Sequence, residues 1–116
     1  MVNLNLNVDH FATLRNARGE NDPNVVFIAQ NAELAGASGI VAHLRKDKRH
    51  IKDQDVILIK NSVNIPLNLE MSIDIVDFAC KVKPAVATIV PENDNEITTE
   101  GGLDVVKNRF YDKSCG

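Results

Sequence analysis

Hydrophobic and polar positions along the chain change period repeatedly, and the changes divide it into short units. Val2 to Val8 alternates apolar and polar residues, the period of a half-exposed strand. Asp9 to Asn21 is largely polar and includes Gly19, which reads as a long loop. Asp22 followed by Pro23 is suited to open a helix, because Asp can cap and Pro fits the first turn. Val25, Ile28, Ala29, Ala32 and Ala35 then recur at helical spacing until Gly36 and Gly39 break the run. Ile40 to Ala42 reads as a second strand ending at His43, and Leu44 to Lys52 as a charged loop. Asp53 is placed to cap a second helix running to about Asn61.

Ile65 to Leu69 reads as a third strand, followed at once by Glu70. Ser72 is placed to cap a third helix, with Ile75, Val76, Ala79 and Val82 on its inner side and Pro84 at its end. Ala85 to Val90 is a β-rich fourth strand, Pro91 to Gly102 a polar loop, and Leu103 to Phe110 the start of a fourth helix. The order βαβαβαβ, with a further helix expected, implies an α/β fold with a parallel sheet covered by helices. Two architectures fit: a small open sheet, or half of a (β/α)8 barrel. A whole barrel needs about 250 residues, and the chain has 116, so length alone favours the open sheet.

Composition narrows the class. Hydrophobic residues make up 44% and charged residues 25%, which is ordinary for a globular domain. A net charge of -3 argues against a nucleic-acid partner. No apolar run approaches the roughly 20 residues of a membrane span, and the N-terminus has no signal-peptide pattern, so a cytoplasmic protein is expected. Cys80 and Cys115 lack zinc-ligand spacing. Cys80 reads as a small core residue and Cys115 as a free thiol in a reduced chain.

The chemistry gathers where the strands end. The first strand ends in Asn7, Asp9 and His10, the second in His43 and then Arg45, the third in Glu70, and the fourth in Pro91 and Glu92. In parallel α/β folds these C-terminal ends build the active site. Each residue also has an ordinary structural explanation. Asp9 suits a turn, His43 a packed and hydrogen-bonded position, and Arg45 and His50 a solvated charged loop. A carboxylate directly after Leu67, Asn68 and Leu69 is harder to place, because burying it unpaired is costly. The imidazoles with Glu70 also suit zinc or iron, but no pair has the spacing of a preformed metal site.

Four motifs in order resemble the pyridoxine 5'-phosphate synthase family. They are Asn7 to Gly19, His43-Leu44-Arg45 through Asp47 to Ile51, Asn68 to Met71, and Val90-Pro91-Glu92 with Thr98 to Val105. The resemblance covers the chain from Asn7 to about Val106, and the tail from Asn108 to Gly116 departs from it. It implies an α/β fold that is the N-terminal half of a (β/α)8 TIM barrel, about four βα units over residues 1–116, and so overrides the length argument.

The resemblance also implies condensation of 1-deoxy-D-xylulose 5-phosphate with 3-amino-2-oxopropyl phosphate, with no cofactor and no metal, in a homo-oligomer that is an octamer in the full-length family. His43 and Glu70 match the family's proton acceptors. Asn7, Asp9, His10, Arg45, His50 and Thr98 match contacts to the deoxyxylulose phosphate, and Arg18 matches a contact to the aminooxopropyl phosphate. The implied partners are phosphorylated small molecules, with neither nucleic acid nor membrane. The isolated half is expected to be inactive. The alternatives are a non-catalytic half-barrel that binds a partner half or a phosphate ligand and, more weakly, a metal-dependent hydrolase on the same barrel.

Overall fold

A computed structural model describes residues 2–93, 101–102 and 104–106. Strand β1 (Asn5–Asn7) is followed by helices α1 (Asp9–Arg18) and α2 (Val25–Leu34), then β2 (Gly39–Leu44) and α3 (Asp53–Ser62). Strand β3 (Leu67–Met71) leads through a 3-10 turn, Ile73–Ile75, into α4 (Val76–Val82) and β4 (Val86–Ile89). All pairings are parallel and the spatial order is β1-β2-β3-β4.

That order decides between the two architectures. A doubly wound open sheet reverses direction from its first strand, whereas here each strand is added beside the last. Right-handed crossovers then place the helices on one face, which is the winding of a (β/α)8 barrel. The burial pattern agrees. Ile40, Ala42, Leu44, Leu67, Leu69 and Met71 are buried and form one core with Val25 and Ala29 of α2 and Val56 and Ile59 of α3. The opposite face carries Asn5, Asn7, Val41, His43, Asn68, Glu70 and Thr88, by the two-residue alternation of a strand. Four consecutive strands of a barrel are therefore present, with its polar interior face on one side.

Gly39 is required where β1 meets β2. A Cβ there would sit 2.6 Å from Asn5 Oδ1 and 3.1 Å from the Pro66 carbonyl oxygen.

Several element boundaries differ from the sequence reading. Residues 9–18 form a helix, not a loop. Helix α2 starts after Asn24, whose Oδ1 accepts from the Val26 and Phe27 N–H groups, and not at Asp22-Pro23, which is joined by a cis bond. Asp53 is the first residue of α3, and Asp55 fills the capping role by accepting the Lys52 N–H at 2.9 Å. Ser72 precedes the 3-10 turn without capping it, and its buried Oγ has no hydrogen-bond partner among the described residues. Cys80 packs half-buried against the core as expected, but it is disulfide-bonded, which corrects the reading of a reduced thiol at this position. Cys115, the bulk of the expected loop after Asn93 and most of the expected fourth helix lie outside the described residues.

Candidate active site

Parallel pairing sets the rim in register. His43 pairs with Glu70 and Glu70 with Thr88, so these three side chains share one row of the polar face. Asn7 pairs with Val41, one pleat below His43 on the same face. The expected convergence of Asn7, Asp9, His43 and Glu70 at the C-terminal strand ends is therefore present.

Asp9 begins α1 and is buried. Its Oδ1 accepts the His43 backbone N–H at 2.7 Å, and its Oδ2 accepts from Asn7 Nδ2 at 3.1 Å. Asn7 Oδ1 in turn accepts the Asp9 N–H at 2.8 Å. A carboxylate held on both oxygens fixes the end of β1 against the end of β2. His43 is buried, and its Nε2 lies 3.0 Å from Glu92 Oε2. Glu70 is half-buried and makes no side-chain hydrogen bond or ion pair among the described residues.

His50 reaches the same place from the loop before α3. Its ring centroid lies 6.0 Å from that of His43 and 6.2 Å from that of His10. The Ile51 N–H donates to His50 Nδ1 at 2.8 Å, so that nitrogen carries the lone pair and Nε2 carries the proton. Burial lowers the His50 pKa; the Asp9 carboxylate opposes that, while His43, His10 and Arg45 reinforce it. His50 is thus held as a neutral donor through Nε2–H. His10 is exposed. The Thr13 hydroxyl spends its hydrogen on the Asp9 carbonyl and accepts from His10 Nδ1–H, both at 3.3 Å.

The basic cluster is mixed: Arg45 and His50 are buried, Lys46 is exposed, and Lys48 and Arg49 are half-buried. Arg45 is buried, with Nε 3.2 Å from Asp47 Oδ1 and Nη2 donating to the Asn93 carbonyl at 3.1 Å. Arg49 joins Asp47 at 3.0 Å and Lys48 joins Asp53 at 2.6 Å. Burial raises the Asp47 pKa, but hydrogen bonds from Arg45 and Arg49 outweigh it and hold the carboxyl at about 2. Arg18 stands apart on the exposed end of α1, paired with Glu20 at 3.2 Å. Thr98 lies outside the described residues. Among the described residues no three His, Cys, Asp or Glu side chains are placed to hold a metal ion.

The sequence reading did not assign a second set of residues that holds the site in shape. Arg15 makes a bidentate pair with Asp55 at 2.7 and 3.0 Å and donates to the His50 carbonyl at 3.2 Å. Asn16 donates to the same carbonyl at 2.9 Å. Together they tie α1 to the start of α3 and hold the His50 backbone. An acidic residue two places inside a helix start was the one available signal for Asp55; nothing local marked Arg15 as its partner.

Comparison with known proteins decides the family. The model of the family "Pyridoxal phosphate biosynthesis protein PdxJ" matches residues 4–114. The chain belongs to this family. Among its relatives, the pyridoxine 5'-phosphate synthase of Trichlorobacter lovleyi is 51% identical over 110 residues, covering 93% of this chain and 46% of that protein. That of Chloroherpeton thalassium is 52% identical over 110 residues, covering 93% and 47%. That of Syntrophotalea carbinolica is 55% identical over 107 residues, covering 90% and 45%. The chain therefore spans a little under half the length of these PdxJ relatives, in keeping with four strands of an eight-stranded barrel. No helix among the described residues is long and apolar enough to cross a membrane.

Proposed function

We propose that this chain supplies the proton-accepting half of a pyridoxine 5'-phosphate synthase site. The reaction joins 1-deoxy-D-xylulose 5-phosphate and 3-amino-2-oxopropyl phosphate to give pyridoxine 5'-phosphate, phosphate and water. The observation that carries the reading is the row of His43 and Glu70, an imidazole and a carboxylate in direct register on the polar face of β2 and β3, in a chain half identical to named synthases.

Imine formation between an amine and a ketone, loss of phosphate and ring closure all require protons to be taken up and returned. Such transfers by a positioned base are worth about 10²–10⁴-fold each. Glu70, with no side-chain partner among the described residues, takes a substrate proton directly, and His43 takes a second. The neutral His50 donates through Nε2–H to a substrate oxygen. Asn7, Asp9, His10, Arg45 and Thr98 are assigned to the deoxyxylulose phosphate and Arg18 to the aminooxopropyl phosphate. Arg45 serves a phosphate by exchanging Asp47 for it, since guanidinium binds either anion bidentately. The setting is cytoplasmic and the working form a homo-oligomer, as the family resemblance implies.

A second reading is a docking half-barrel without its own turnover, favoured by the coverage of under half of each relative. One assay separates the two. The chain is incubated with both substrates, alone and together with the remaining half of the Trichlorobacter lovleyi synthase, and pyridoxine 5'-phosphate is measured. Product from the mixture and none from either half supports the catalytic reading. A mixture that forms a stable complex and yields no product supports the docking reading.

A further inference from the structure

We infer that Glu92 is a positioning residue that fixes the tautomer of His43, an inference that rests on the base role proposed above for His43. Glu92 lies three residues beyond the end of β4, and its side chain is only 1% exposed. Its Oε2 lies 3.0 Å from His43 Nε2, and its Oε1 accepts the Lys46 N–H at 2.9 Å. Both oxygens are thus directed at one segment, the end of β2 and the turn after it. A carboxylate has only acceptor sites to offer, so the proton in the His43 contact sits on Nε2 and the lone pair on Nδ1. The nitrogen that takes a proton is thereby chosen before substrate arrives, and the imidazolium formed would face a negative charge. Asp9 fixes the same residue through its backbone N–H at 2.7 Å. His43 is therefore gripped at the main chain by the end of β1 and at the ring by the segment after β4.

The contact also reaches across a strand. Strands β2 and β4 are not neighbours, because β3 lies between them. In a flat sheet two strand spacings separate them, about 9.6 Å. The 3.0 Å contact bridges that separation because the imidazole and the carboxylate both reach across β3 on the polar face. Barrel interiors are built in this way, from layers of side chains contributed by alternate strands.

The test uses chain labelled with 15N at histidine, sedimented and hydrated, so that magic-angle-spinning spectra do not require a monomer. The expected spectrum assigns the proton of neutral His43 to Nε2. Glu92→Ala is expected to give a mixture of both neutral forms, and Glu92→Asp to restore part of the single form. A wild-type His43 protonated at Nδ1 overturns the inference even if every variant fails to fold. So does a folded Glu92→Ala whose His43 tautomer is unchanged. The spectrum is independent of turnover, so a failed synthase assay would sink the base role and leave this measurement standing. In the reconstituted barrel Glu92→Ala is expected to lower kcat by ~10²-fold with little change in KM.

Discussion

At His50 one ring nitrogen is committed and the charged form is disfavoured. The Ile51 N–H occupies Nδ1, and burial disfavours the cation. A histidine whose pKa is lowered on folding binds a proton more readily when unfolded. The stability it contributes is therefore present above the unfolded value of about 6.5 and is lost as pH falls below it. Thermal melts from pH 7.5 down to 5 should show falling stability, and His50→Gln should flatten that slope. An unchanged slope in a folded variant would mean that His50 is not held neutral. Asp47 acts in a lower window. With its carboxyl held at about 2, its contribution is complete above the ordinary carboxylate value and is lost as pH falls toward 2. Asp47→Asn should shift acid unfolding to higher pH, read by circular dichroism.

Helices α1 and α3 show which elements a sequence discloses and which it conceals. The apolar spacing from Val25 to Ala32 was enough to identify α2, and alternation at β1, short apolar runs at β2 and β3 and a β-branched run at β4 were enough to identify four parallel strands. The residues at the strand ends were legible too, because parallel topology collects them on one rim. Helix α1 was concealed because it buries only Asp9 and Ala12, too little for an apolar stripe. Polar contacts to distant residues hold it instead, above all the Arg15–Asp55 pair, with both side chains 11% exposed. The two partners stand 40 positions apart, so no local pattern announces the pair. Asp55→Ala removes both this pair and the cap on Lys52. It should cost about 3 kcal/mol in denaturant unfolding. Arg15→Ala together with Asp55→Ala should cost less than the two single changes added. Strict additivity would mean that the pair contributes no coupling.

At the scale of the whole sheet, β1 and β4 stand at its two edges among the described residues. Val86 and Ile89 on β4 are 49% and 40% exposed. An apolar, uncharged edge invites pairing with another chain. The chain alone should therefore sediment as self-associated species, and Ile89→Lys should shift it toward monomer. Adding the complementary half of a PdxJ relative should do the same by closing the barrel. A wild-type chain that stays monomeric at high concentration would count against an open half-barrel. The central claim is that the His43–Glu70 row is the proton-accepting side of a synthase site. Its most direct test is steady-state turnover of the reconstituted barrel with Glu70→Gln in this chain. The account predicts that both substrates still bind with near-normal KM while kcat falls by ~10²-fold or more. Normal kcat at saturating substrate, with only KM raised, would contradict it.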